Sequence, residues 1–248
     1  MVIFLIVLTV AAVMIVIELF VPGRSWPKVA NWWFRAVLLN AVQIGSVFLA
    51  GVAWNRWMAG RSIWDAQSLG TSGGAVLGYL VITFIYYWWH RIRHRSDFLW
   101  RWFHQVHHSP QRIEIITSFY KHPFEIIING VLSSLILYCL VGVTAEAASV
   151  AVLVTGLAEL FYHWNVKTPY VLGFFFQRPE SHCVHHQEDS HRYNYADLPL
   201  WDMMFGTFYN PRSFEKRCGF GDQRERQLGQ MLLGIDVYKS EEPVKGQP

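Results

Sequence analysis

Long stretches of this chain carry almost no charge. Residues 2–21 hold one charged side chain, Glu18, and residues 36–54 and 73–89 hold none. Residues 124–143 and 145–163 follow, with Glu125 and Glu146 near their starts and Glu159 inside the second. A helix needs about 20 mostly apolar residues to cross a bilayer. One such segment could be a buried helix of a soluble protein; five of them predict membrane helices. Almost no loop separates the last two, so they read as a tight hairpin, giving four or five spans.

Composition agrees and excludes other classes. Hydrophobic residues make up 52% and charged residues 16%, against about 25% charged in a typical soluble domain. Disorder needs low hydrophobicity and high net charge. Three scattered cysteines, Cys139, Cys183 and Cys218, form no disulfide framework. A net charge of +3 gives no ground for a nucleic-acid partner. The first segment has no basic residue before it and no small-residue cleavage pattern after it, so it reads as a retained span. With five spans and the N-terminus outside, the inner connections carry Arg24, Lys28, Arg35, Arg91, Arg93, Arg95, Arg101, Arg112, Lys121 and Lys167. The outer ones carry only Arg56 and Arg61, the bias expected of cytosolic loops. Trp32, Trp33, Trp54, Trp57, Trp88, Trp89 and Trp164 fall near segment ends, where interfacial aromatics belong. The chain divides into N-terminal membrane helices (1–71), a histidine-bearing region (72–210) and a solvated C-terminal tail (211–248).

Histidine is the anomaly. Of 11 histidines, nine are patterned: His90 and His94 as HxxxH, His104, His107 and His108 as HxxHH, His182, His185 and His186 as HxxHH again, and His163 at the end of the fifth segment. Residues at i, i+3 and i+4 share a helix face, so each group points one way from its helix. Ser96 and Asp97 supply a break and an N-cap between the first two groups. Pro179 suits the first position of the helix bearing the third. A neutral imidazole offers one nitrogen to a metal and the other to an orienting hydrogen bond. Nine exceed one ion's coordination and suit two metals with four or five nitrogens each. Haem ligation leaves the adjacent pairs unexplained. Structural zinc usually takes four ligands, often cysteine, and the cysteines here form no CxxC; Cys183 reads as a spacer.

The run YYWWHRIRHRSDFLWRWFHQVHHSPQ (86–111) resembles the first histidine boxes of the sterol desaturase / fatty acid hydroxylase superfamily. HCVHHQEDSHRYNYADLPLWDMMFGTF (182–208) resembles its last box and ending. KHPFE (121–125) and FYHWN (161–165) resemble the basic-His-Pro-x-Glu element and the isolated histidine between them. The resemblance covers roughly residues 75–210. It implies an all-α integral membrane protein whose region 72–210 is catalytic, with a cytosolic helical cap carrying a histidine-rich di-metal site. It further implies a non-haem di-iron enzyme that uses O₂ and two external electrons to hydroxylate or desaturate a lipid C–H bond. The implied catalytic and metal residues are His90, His94, His104, His107, His108, His163, His182, His185 and His186. Glu159 stands where some members carry a further histidine, and is a candidate carboxylate ligand. O₂ activation needs a redox-active metal, and zinc can replace iron on purification.

Other residues carry two readings. His122 is an outer-shell residue or a turn residue beside Pro123. His191 lies off the face of the last triplet. Asp189, Asn165, Asn194 and Asp202 are candidate partners for imidazole N–H groups, with turn or capping roles as the plainer reading. Arg91, Arg93, Arg95 and Arg101 suit an acidic electron donor or lipid phosphates, although topology alone accounts for them. The expected protein is a lipid hydroxylase more than a desaturase. Its electrons come from a ferredoxin or a b-type cytochrome with its reductase. It sits in a bacterial inner membrane, or in the ER membrane of a eukaryote, with its active site facing the cytosol. The rival readings are a membrane metal-binding or transport protein, with ligands strung along a path, and a zinc-stapled structural protein.

Overall fold

The uncharged runs fold as helices. The computed structural model describes residues 2–239 except 51, 52, 54, 55, 59, 189, 191 and 222. Helix α1 spans Val2–Phe20, α2 Trp32–Ala50 and α3 Gly70–Arg95. Helix α4 (residues 97–108) joins Asp97–Leu99, a π-helical turn at Trp100–His104, and Gln105–His108. Helix α5 spans Pro123–Ser134 and runs on as the π-helical Leu135–Val141; α6 spans Ala145–His163. Short helices α7 (Pro179–His185), α8 (Pro199–Met204) and α9 (Leu228–Leu232) follow. Among the described residues there is no sheet, only an isolated bridge between Gln187 and Cys218. Among the described residues three stretches, Gln67–Arg95, Pro123–Val141 and Ala145–His163, are long and apolar enough to cross a membrane; Leu5–Phe20 is a shorter apolar helix. Trp54, Asp189, His191 and residues 240–248 lie outside the described residues.

Local chemistry sets the boundaries. Helix α3 runs past Trp89 to Arg95 and so carries His90 and His94 on its last turns. The Ser96 hydroxyl then caps α4, accepting from the Leu99 N–H at 3.3 Å. His122 Nδ1 accepts from the Phe124 N–H at 3.1 Å and its Nε2 faces the Leu232 carbonyl at 3.2 Å, so the ring caps α5. Thr144 caps α6 through Ala147 N–H at 3.2 Å. The turn between α5 and α6 is Gly142, with φ +69°. A Cβ there would meet the Trp64 carbonyl oxygen at 2.2 Å, so only glycine fits both the angle and the space.

Small residues bring α3 against α6. A Cβ on Gly74 would lie 3.0 Å from the Ala147 Cβ, and one on Gly78 would lie 2.7 Å from Leu137 Cδ2 and 3.4 Å from the Ala151 Cβ. Gly74 and Gly78 thus face Ala147 and Ala151, two small-xxx-small pairs of the kind that let membrane helices approach closely. At the histidine end of these helices, the Glu18 carboxylate accepts from the backbone N–H of Ile115 at 3.0 Å and of Asn165 at 2.8 Å. This pins the end of α1 to the loops flanking the histidines.

The expectation of a solvated tail fails for residues 211–239. Phe214, Cys218, Phe220, Leu228, Met231 and Val237 are buried there. Phe220, Leu228, Met231 and Val237 form one core with Trp32, Ala36 and Leu39 of α2 and with Trp100, Val106 and Tyr120. Glu225 turns inward as well, accepting from Arg35 at 3.0 Å and from the Gln111 amide at 3.0 Å. Mixed charge made the segment read as surface. The apolar residues that anchor it are too widely spaced to form a periodic run, and its key charge is paired inside.

Filling the α3–α6 seam tests the packing. Gly78→Leu is expected to destabilise the protein by about 1–3 kcal/mol, read as a lower Tm in detergent. Gly45→Leu, where a Cβ meets nothing within 4 Å, is expected to leave the Tm unchanged.

Candidate metal centre

The nine patterned histidines converge in two adjoining groups. His90, His94, His104, His108 and His185 form one group; His107, His163, His182 and His186 form the other; within each, one nitrogen per ring lies within 4.8 Å of the rest. Neighbouring residues of a helix do not face each other, so each HxxHH triplet divides. Helix α4 gives His104 and His108 to the first group and His107 to the second. Helix α7 and the residue after it give His182 and His186 to the second and His185 to the first. The triplets therefore cross over, each lending one ring to the other's main group. The rings of His108 and His186 stack at 4.3 Å where the groups meet.

The rings present Nε2 to one another. His90 and His185 Nε2 lie 2.9 Å apart, His104 and His108 3.2 Å, His163 and His182 3.1 Å, and His182 and His186 3.0 Å. Two nitrogens bound at right angles about 2.1 Å from one ion lie about 3.0 Å apart, so these spacings fit shared coordination. Imidazole donors suit zinc, copper, iron and nickel.

The opposite nitrogens are held from behind. Nδ1 of His90 faces the Tyr195 carbonyl at 2.7 Å, His185 that of Tyr193 at 2.7 Å, His163 that of Glu159 at 2.9 Å and His107 that of Tyr120 at 3.4 Å. His104 Nδ1 faces the Glu125 carboxylate at 3.1 Å, and Glu125 is itself paired with Arg93. An acceptor behind Nδ1 keeps the proton there and leaves the Nε2 lone pair free for a metal. The side-chain amide of Gln177 lies 2.7 Å from His182 Nδ1 and 3.2 Å from the Asn194 carbonyl. Burial is the first cause that holds His104, His107 and His182 well below the ordinary imidazole value, so all three stay neutral. The second cause is Arg93 for His104, His186 for His107 and His163 for His182.

The remaining candidates take outer places. The Glu159 carboxylate pairs with Lys121 and is in neither group; only its backbone carbonyl reaches His163. Asp202 accepts from the N–H groups of Tyr195 and Ala196, each at 2.9 Å, and from the Thr207 hydroxyl at 2.7 Å. It thereby fixes the loop whose Tyr195 carbonyl backs His90, and burial raises its carboxyl to about 7. Asn194, at φ +57°, ties Ser181 to Tyr209, and Asn165 binds the Arg24 backbone. Cys183 packs with Cys218 in a small apolar cluster. Sequence reasoning gave no role to Gln177 and none to the Arg93–Glu125 pair. Glu125 carried a signal in the KHPFE element; Gln177 carried none.

A cavity of ≈ 240 Å³ adjoins the centre, lined by His90, His104, His107 and His182. It extends between Gln43 of α2, Ile126–Ser134 of α5 and Val152–Glu159 of α6.

Two measurements probe the centre. An imidazole whose folded-state pKa lies below 6.5 takes up protons later than in the unfolded chain. Stability present above about pH 6.5 is therefore lost as the pH falls from there towards the lowered values. Metal affinity falls in the same direction, because protons compete for the ring nitrogens. Unfolding of the metal-free protein followed from pH 8 to pH 5 is expected to show this slope. Gln177→Ala is expected to cost about 10- to 100-fold in metal affinity with helix content unchanged, measured by chelator competition and circular dichroism.

Known proteins match the region that bears the histidines. The family model for fatty acid hydroxylase matches residues 75–207, more than half of the 248-residue chain. Sphinganine C4-monooxygenase 2 of Arabidopsis thaliana is 28% identical over 154 residues, 59% of this chain and 58% of that protein. Very-long-chain aldehyde decarbonylase GL1-9 of Oryza sativa subsp. japonica is 27% identical over 136 residues, 53% of each. Ornithine lipid hydroxylase OlsE of Rhizobium tropici is 33% identical over 140 residues, 55% of this chain and 42% of that protein. The chain spans about half the length of the curated relatives it matches. No solved structure matches it. Since the matched region encloses all nine histidines of the two groups, the chain belongs to the fatty acid hydroxylase family, within the sterol desaturase / fatty acid hydroxylase superfamily.

Proposed function

We propose that this protein is an O₂-dependent di-iron membrane enzyme that hydroxylates an unactivated C–H bond of a lipid, in preference to desaturating it. The observation that carries the reading is the crossed sharing of the two HxxHH triplets between groups of five and four imidazoles. A structural staple needs about four ligands. A transport path would string its ligands through the bilayer, whereas these gather at one end of α3 and α6. Bound iron would supply the reduction of O₂ and the oxidation of the C–H bond.

The chain's own residues would do the rest. His90, His94, His104, His108 and His185 would hold one ion, and His107, His163, His182 and His186 the other. Carbonyls and Glu125 orient the rings, and burial keeps His104, His107 and His182 neutral. The cavity beside them passes Ile126, Ile127 and Val152 of the apolar helices, a path suited to a lipid chain. His90 and His94 are the half-buried edge of the centre, adjacent in sequence to Arg91 and Arg95. An acidic electron donor, a ferredoxin or a b-type cytochrome served by its reductase, would dock there. The weighting of Arg and Lys towards this end supports a cytosolic centre; in this reading the membrane is a bacterial inner membrane, or the ER membrane of a eukaryote. The sphinganine and ornithine-lipid hydroxylases among the relatives support a lipid substrate.

Lipid profiles of cells with and without the gene are expected to differ by a product one oxygen heavier. The purified protein is expected to hold two iron ions and to consume O₂ when given reductant and lipid. His107→Ala and His185→Ala, the crossed members, are each expected to lower bound metal to one ion per chain or fewer and to abolish the product. Full activity of zinc-loaded protein would sink the proposal.

A further inference from the structure

A second cavity, ≈ 550 Å³, shares no lining residue with the first. It is lined by Arg24, Trp26, Lys167, Arg212 and Lys216, with the carboxylates of Glu180 and Glu215. Glu180 is already saturated. It meets Arg24 at 3.3 Å, Arg178 at 3.1 Å, and the Thr168 N–H and hydroxyl at 3.0 and 2.7 Å. Lys167, Arg212 and Lys216 line the cavity with one further carboxylate, Glu215, so the cavity carries surplus positive charge.

Two donors here lack acceptors. The Arg24 side chain is 10% exposed, and its Nη1 is buried without a hydrogen-bond partner among the described residues, as is Trp26 Nε1. A buried unmade hydrogen bond costs free energy, and native structures rarely leave one unmet. Arg24 is also fixed in place. The Gly23 N–H donates to the Asn165 carbonyl at 2.7 Å, and the Arg24 N–H and carbonyl bond the Asn165 side chain at 2.9 Å each. A Cβ on Gly23 would meet the Val166 backbone at 2.5 Å, so the two loops are pressed together. This is a cationic recess whose Arg24 backbone is held in place, and guanidinium and ammonium groups are the chemistry that holds a phosphate.

Its position says which phosphate. Arg24 lies just after the end of α1 and Lys167 just after the end of α6, the level at which lipid headgroups would meet a membrane-embedded chain. The Arg212 guanidinium sits 5.0 Å above the Tyr170 ring. From Tyr170 the chain presents Val171, Phe174, Phe175 and Phe176 to the outside. A cationic recess bordered by exposed aromatic and aliphatic side chains matches a molecule that is anionic at one end and apolar at the other. Free inorganic phosphate would use the recess alone. We propose that this cavity binds the phosphate of an anionic phospholipid whose acyl chains lie along the Tyr170–Phe176 surface, at a site separate from the histidine centre.

The test is native mass spectrometry of the full-length protein, delipidated in detergent and offered phosphatidylglycerol, phosphatidylcholine or inorganic phosphate. One phosphatidylglycerol is expected to be retained at least tenfold more strongly than phosphatidylcholine. The triple variant Lys167→Gln/Arg212→Gln/Lys216→Gln is expected to erase that preference while metal content and Tm stay unchanged. Arg24→Gln is expected to do the same; should its loss of the Glu180 contact prevent folding, the triple variant decides. Equal retention of the two lipids, a preference untouched by the triple variant, or phosphate binding without phosphatidylglycerol retention would each overturn the assignment.

Discussion

Helices α4 and α7 cannot move apart without opening both histidine groups at once. Helix α4, and α7 together with His186 just after it, each bring two rings to one group and one to the other, so the pair behaves as a clasp. Groups built on separate helices could loosen one at a time. Here adjacent histidines on one helix diverge, and the helix must lie between the two points on which its rings converge. The rest of the architecture serves that placement. The last turns of α3 bring His90 and His94, the end of α6 brings His163, and the glycine–alanine seam between α3 and α6 fixes those two ends relative to each other.

A cluster of nine imidazoles is costly if any of them charges, since each positive ring would repel the next. Burial opposes this at His104, His107 and His182, and acceptors back five of the rings. Most of those acceptors are main-chain carbonyls, which impose direction without adding charge. Glu125 is the exception, and Arg93 sits against it. Lys121 and Glu159 form a second pair near the same cavity, so the charges lining it arrive largely as couples. Asp197 stands apart from these pairs. It accepts from the Tyr162 hydroxyl at 3.0 Å, and burial pushes its carboxyl up to about 6.

Much of this was legible in the sequence, for physical reasons. Uncharged runs announce apolar helices, and HxxHH spacing announces a helix face rich in donors. The division of each triplet follows from helix geometry, yet spacing alone does not say which ring goes where. The π-helical turn at Trp100–His104 shifts the face that His104 shares and has no mark in the residues themselves. Gln177 is recognisable only once α7 has turned back on the loop before it. Glu159 differs again: an acid one turn from His163 suggests a ligand, and in the structure its carboxylate pairs with Lys121, distant in sequence. The segment 211–239 looked like surface because its anchors are spaced out and its partners lie far away in the chain.

That last segment bears on how the molecule is made. Arg35 sits in the second helix, and its partner Glu225 follows 190 residues later. Ribosomal synthesis delivers the cation long before its carboxylate, together with Trp32, Ala36 and Leu39, whose final neighbours include Phe220 and Met231. The α2 end of the protein thus stays unfinished until residues 220–237 have been made, while the α3–α6 seam can close earlier. The core beneath Trp100 and Val106 of α4 therefore closes later than the helices that carry His90, His94 and His163.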